Sequence, residues 1–228
     1  MKPPGPAVIR EIWRYPVKSM AGERLESCSI TEHGLEGDRV WALIDGTEPR
    51  TGKFFNIKQH ARLMQYRARL VGGKLEVSAP DGTGTGLDEA LKTLVRESSH
   101  ILNLRRQAGA NFDDAPVHIV NLASVEAFAL EAGMPMDHRR FRANLYVDGL
   151  EPDEEIGWLG RRIRAGDAEL EVIDRCVRCA VITRDPDTTV ATPALLELLV
   201  DRHEKCLGMY CRVVRPGRAT LGDPVGPI

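Results

Sequence analysis

No stretch of this sequence stays apolar for the roughly 20 residues that a helix needs to cross a bilayer, so it holds no candidate membrane-spanning helix. The first six residues are rich in Pro and Gly and lack the apolar core, about 7–15 residues long, of a secretory leader. The expectation is a cytoplasmic protein with no membrane partner. An excess of one charge is also missing. Lys and Arg number 31 against 33 Asp and Glu, a formal net charge of −2, which provides no bulk attraction to nucleic acid. The 228 residues suffice for one large or two small domains. Five cysteines are an odd number in a chain too long for a small disulfide-stapled scaffold, so reduced thiols are expected. They do not form a ferredoxin-like set of four. Two glycine-bearing loops fail as nucleotide cradles. No helix opens behind Gly34 and Gly37, and residues 80–86 have neither a lysine nor a preceding Rossmann strand.

What the chain does carry is concentrated in residues 175–188. Cys176 and Cys179 lie three positions apart beside Arg175 and Arg178, and an apolar run follows to Ile182. Asp185-Pro186-Asp187-Thr188 is then a turn sequence, with Pro186 supplying the fixed φ of its second position. Residues 168–173 read as a strand with Leu170, Val172 and Ile173 inward. Both cysteines are therefore expected on a short segment between two strands, at a mouth. A thiolate is the active form of cysteine, and neighbouring guanidinium groups favour it. Four uses remain open: a zinc pair completed by Cys206 and Cys211, a redox dithiol, inert buried thiols, or one thiolate on a soft transition metal that belongs to a cofactor. The dithiol needs a helix start in a βαβ setting, which is not seen here.

Three further clusters precede this segment. Tyr15-Pro16-Val17-Lys18-Ser19 ends the strand predicted over 8–14 and puts an ammonium and a hydroxyl at its exit, both suited to phosphate. Gly34-Leu35 and Gly37-Asp38-Arg39, with Trp41 behind, form a turn-rich loop between strands predicted at 23–31 and 40–45; the planar fork of Arg39 suits a phosphate. Phe141-Arg142-Ala143-Asn144 runs into a strand at 145–147. Asn144 can both donate and accept. Ser124 opens a helix predicted over 124–132 and closed by Gly133, where a cap or an anion contact is possible. Strands are also expected at 50–55, 62–70, 74–79, 101–106, 116–120, 162–164 and 209–214, and helices at 87–95 and 193–200.

In this order the four clusters resemble those of MOSC domains, the molybdenum-cofactor sulfurase C-terminal family, and within it the amidoxime-reducing components and their bacterial relatives. The resemblance implies a mostly β fold with peripheral helices: a small β-rich N-terminal domain over residues 1–80, a variable linking segment over 81–115, and a MOSC β-barrel core over 116–228. It implies a molybdenum cofactor, with Cys179 as the metal ligand and catalytic residue, and with Lys18, Ser19, Arg39, Ser124, Arg142, Asn144 and Arg178 holding the pterin and its phosphate. The implied activity is reduction of small N-hydroxylated compounds. With no iron–sulfur set in the chain, electrons would come from a separate ferredoxin- or flavoprotein-like protein. The alternative is a cofactor carrier or sulfur-relay protein using the same residues. Two departures stand out. Thr189 replaces the glycine that follows the family's Asp-Pro-x-Thr, so that turn is expected to shift or to avoid positive φ. Cys206 and Cys211 fall where the family has apolar residues, and are read as core thiols.

Overall fold

The computed structural model of the chain describes residues 7–82, 86–107, 109 and 111–228. Residues 1–6, and within the expected linking segment residues 83–85, Ala108 and Ala110, lie outside the described residues. In β1 (Val8–Arg14) a register irregularity between Ile9 and Glu11 brings both Ile9 and Ile12 to the buried face. The strand predicted over 23–31 divides into β2 (Glu23–Leu25), paired with β1, and β3 (Ser27–Thr31), which leaves for another sheet and pairs with β4 (Gly34–Leu35). After β5 (Trp41–Asp45), the strand predicted at 50–55 is instead a turn. Gly52 N–H and Lys53 N–H donate to Asp45 O and Arg50 O at 2.8 and 2.9 Å, and only Phe54 makes an isolated bridge, to Ile44. The strand predicted at 62–70 begins as a 3-10 turn, Ala61–Gln65, before β6 (Arg67–Val71). Gly72 and Gly73, both at positive φ, close the hairpin to β7 (Lys74–Ser78).

Next come α1 (Leu87–Ser98), β8 (Leu102–Arg106) and β9 (Val117–Asn121). Helix α2 (Leu122–Ala132) starts two residues earlier than expected because Asn121 is its cap, accepting from Ala123 N–H at 3.0 Å. The chain continues through β10 (Leu145–Asp148), β11 (Arg162–Ala165), β12 (Ala168–Val177), α3 (Ala194–Arg202), β13 (Cys206–Arg215), β14 (Gly217–Thr220) and β15 (Val225–Pro227).

The fold is mostly β with peripheral helices, as expected. Eight strands form one sheet in the order β15-β11-β12-β13-β9-β10-β1-β2. It curls until its ends meet: Val8 bridges Pro224, and Ile9 N–H donates to Asp223 O at 2.9 Å. The interior is apolar, with Ile9, Ile119, Leu145, Ile163, Leu170 and Met209 among its members; each such side chain contributes about 1.5–3 kcal/mol on burial. A second core lies among β5, β6, β7 and α1, around Leu43, Tyr66 and Leu94. A third lies under α2 and α3, around Phe128 and Leu199. Strand β9 is central, parallel to β10 and antiparallel to β13, and all five of its residues are buried, as befits a strand covered on both faces. Its polar residues, His118 and Asn121, are therefore buried too and require partners. No helix among the described residues is long and apolar enough to cross a membrane.

Candidate active site

The cysteine segment differs from its expected form. Strand β12 runs four residues past Ile173, to Val177, so Cys176 is buried inside the sheet and only Cys179 lies beyond it. Ile173, expected inward, is exposed, because Ala168, Leu170 and Val172 hold the inner face and alternation turns the next residue outward. Past the strand end, Cys179 heads a 3-10 turn, Ala180–Thr183, and is exposed, and its thiol makes no hydrogen bond among the described residues. Cys179 opens into a cavity of about 370 Å³ whose walls include Lys18, Ser19, Arg39, Arg142, Asn144 and Arg178. Seven of the eight sequence-derived site residues thus meet in one place.

Three arginines shape this cavity. Arg178 donates to Cys176 Sγ at 2.6 Å and to Phe141 O at 2.8 Å, while its Nε is buried without a partner among the described residues. Burial opposes its charge, but Cys176 and Tyr210 outweigh that and hold its pKa above the ordinary value. Arg39 and Arg142 both lie over the ring of Tyr15, at 5.0 and 4.4 Å. Arg39 pairs with buried Asp38 and donates to Arg142 O at 3.2 Å. Desolvation works against its charge, and Asp38 more than restores it. Arg142 has no carboxylate of its own, donating instead to Met20 O at 2.8 Å. Burial, reinforced by Arg39, draws its pKa below the usual arginine value. An arginine that pairs with no carboxylate leaves this part of the cavity open to an anion. Ser19, Arg39 and Arg142 all take positive φ, at 74°, 48° and 53°, a conformation that costs non-glycine residues on the order of 1 kcal/mol or more each.

Lys18 Nζ donates to Asn111 O at 2.8 Å and pairs with Asp113. Asn144 spends its amide on the frame: Oδ1 accepts from His118 N–H at 3.1 Å, and Nδ2 donates to Trp13 O at 3.2 Å. Ser124 does not line the cavity. It is buried in the first turn of α2, bonded to Glu155 at 2.8 and 3.0 Å, and it accepts from Asp153 N–H at 2.9 Å. The 3-10 segment Glu154–Trp158 covers the helix start that an anion would need, and burial raises the pKa of Glu155 there.

Sequence reasoning missed His118, Tyr210 and the pair Asp113 and Asp114, and left the role of Cys176 open; all of these line the cavity. His118 packs against Tyr210 in a tilted arrangement, ring centroids 5.3 Å apart, and its Nε2 lies 3.5 Å from an Arg178 nitrogen. Burial first, then Arg178 and Arg39, hold its pKa well below 6.5, so the ring is neutral. A polar residue inside an otherwise apolar strand was the one signal that could have found it. Among the described residues, no group of three or more His, Cys, Asp or Glu side chains could hold a metal ion. A metal beside Cys179 would therefore take its remaining ligands from elsewhere than the chain.

The chain was compared with known proteins. The profile of the MOSC domain matches residues 103–226, and that of the MOSC N-terminal beta barrel domain matches residues 6–125. The chain is similar to mitochondrial amidoxime reducing component 2 of Bos taurus, with 32% identity covering 95% of this chain and 82% of that protein. It is 24% identical to mitochondrial amidoxime-reducing component 1 of Homo sapiens, with the same coverage. Molybdenum cofactor sulfurase of Caenorhabditis elegans is 27% identical over 91% of this chain; the chain spans only 33% of that protein's length. The crystal structure of the YUAD protein from Bacillus subtilis shares the fold, with a TM-score of 0.55 at 18% identity, covering 97% of this chain and 94% of that one.

Proposed function

This chain belongs to the MOSC domain family, and on that premise we propose that it holds a molybdenum cofactor in the cavity below Cys179 and there reduces small N-hydroxylated compounds. The observation that carries this reading is the meeting, in one cavity, of an exposed and unbonded thiol with Lys18, Arg39, Arg142 and Arg178. Its residues fit the group. Arg142 pairs with no carboxylate, and Arg178 keeps a buried Nε–H without a partner among the described residues, as an anionic pterin phosphate requires. Bound there, the cofactor supplies two-electron chemistry at molybdenum.

The chain's own residues have simpler tasks. Cys179 would offer its exposed sulfur as a soft ligand to the metal. Arg39 and Arg142, stacked on Tyr15, receive the phosphate, with Lys18 and the Ser19 hydroxyl completing its shell. Neutral His118 brings no further positive charge to the cavity. Asn144 ties β9 to β1 and also accepts from Arg39 at 3.5 Å, which helps to position that guanidinium. Reduction of an N–OH group consumes two electrons and two protons, breaks the N–O bond and releases water. The electrons come from a separate ferredoxin- or flavoprotein-like donor. All five cysteines are free, as a reducing cytoplasm would keep them.

The test is turnover of an aryl amidoxime and an N-hydroxylated base by protein made in a molybdenum-cofactor-producing host, with a reduced viologen dye as electron source. Wild type is expected to turn over, and Cys179→Ser to lose that activity. A loaded wild type inert towards both substrates would contradict the reductase reading. One observation favours a second reading: the chain matches only about a third of the molybdenum cofactor sulfurases it resembles, so the same cavity could serve a carrier or sulfur-relay protein. That reading predicts a loaded protein that passes its cofactor to an apo-acceptor without turnover.

A further inference from the structure

The cavity brings a carboxylate to the place where an anion is expected. Lys18 is almost wholly buried, its side chain 11% exposed, whereas the Asp113 side chain with which it pairs is 80% exposed. The carboxylate therefore reaches in from the rim and covers the ammonium. Apart from Asn111 O, Asp113 is the one partner that Lys18 bonds among the described residues. Lys18 is in turn the only side chain among the described residues that Asp113 bonds. Desolvation at the rim opposes the Asp113 charge, but Lys18 first, then Arg39 and Arg142, outweigh it and hold the carboxyl below the usual range. One carboxylate thus answers three of the cations assigned to the phosphate.

The base of this segment is firmly fixed. Asn111 is fully buried; its Nδ2 donates to Arg39 O, Val40 O and Gln107 O at 3.0, 3.1 and 3.0 Å, and its Oδ1 accepts from Arg105 at 2.9 Å. Two residues further on, the Asp113 side chain contributes nothing to that anchorage and can swing outward with the backbone in place. A phosphate monoester brings up to two charges and three strong acceptor oxygens against the single charge of the carboxylate.

We propose that Asp113 is an internal competitor for the anion site, holding the Lys18 ammonium until a phosphate monoester displaces it, and so sets the affinity of the cavity for phosphate-bearing ligands. This rests on reading the cavity as the seat of an anionic cofactor, but not on the metal. An occupied competitor lowers apparent affinity by the fraction of molecules in which the site is blocked.

The experiment is calorimetric titration of the full-length apoprotein with inorganic phosphate, comparing wild type, Asp113→Asn, Lys18→Met and the double variant. Asp113→Asn is expected to bind phosphate about fivefold more tightly, near the upper end for a partly exposed ion pair. In the Lys18→Met background the same change is expected to bring no gain. Equal binding by wild type and Asp113→Asn, binding by neither, or a gain that survives loss of Lys18 would overturn the proposal. Because the probe carries no metal, the two readings fail separately. Phosphate gain without molybdenum in host-made protein would sink the reductase reading alone, and molybdenum-loaded wild type without the phosphate gain would sink this one alone.

Discussion

His118 is the residue whose environment departs furthest from what its own chemistry prefers. It sits in β9 with its ring buried between Tyr210 and the Arg178 guanidinium, and it stays neutral because burial and two arginines disfavour its charge. The unfolded chain binds a proton there near 6.5; the folded chain does so only at much lower pH. Between those values the unfolded state holds more protons, so stability falls as pH is lowered from about 6.5 and this contribution is constant above it. Urea unfolding of wild type and His118→Gln between pH 8 and pH 5 checks this: wild type should lose more stability than the variant across that range, and equal losses would contradict the assignment. Residues of this kind are hard to read in a sequence, because His118 belongs to no motif and its neighbours come from the residue after β12, from β13 and from the loop between β4 and β5. The motif residues Lys18, Arg39, Arg142 and Cys179 were legible because each cluster is local. Thr189 shows the limit of local rules: the turn was expected to shift or to avoid positive φ, yet Thr189 takes φ 62° and donates its N–H to Asp185 O at 2.8 Å. The turn is kept, and a β-branched residue bears the strain that glycine would not.

At the level of elements, the site depends on how closely β13 can approach β9. Gly208 lies in β13 at φ +87°, and a Cβ there would meet His118 Nε2 at 2.7 Å and Ile119 O at 2.8 Å. Gly208→Ala would combine a left-handed backbone penalty with overpacking against main chain, a loss of about 2–5 kcal/mol. Denaturant titration should show that loss; a variant as stable as wild type would mean that the strands are less tightly apposed than described. Periodicity located most elements, including β1, α1, the Gly72-Gly73 hairpin and β9, because each is long or sharply bounded. It failed at 50–55, where a turn through Gly52 takes up the polar residues before Phe54, and at 23–31, where one extended stretch serves two sheets. Pairing was not legible at all. That β1 lies against β10, from the other half of the chain, follows from the closed curl of the sheet and not from any property of residues 8–14.

Across the whole molecule, the cavity is assembled from distant parts of the chain. Lys18, Ser19 and Arg39 come from the N-terminal part, matched by the MOSC N-terminal profile, and Arg142, Arg178 and Cys179 from the part matched by the MOSC profile. The curled sheet brings the two sets together by taking β1 and β2 into the same hydrogen-bonded array as β12 and β13. Four cations beside an exposed thiol make little sense for folding stability alone, since each buried charge costs several kcal/mol before compensation. They make sense if an anionic group is held there. The measurement that tests this most directly is the molybdenum and pterin content of protein purified from a cofactor-producing host, wild type beside Cys179→Ser. Near-stoichiometric molybdenum and pterin in wild type, with molybdenum lost from a folded Cys179→Ser, is the predicted result. A folded wild type without molybdenum under adequate cofactor supply, or a Cys179→Ser variant that retains it in full, would contradict the account.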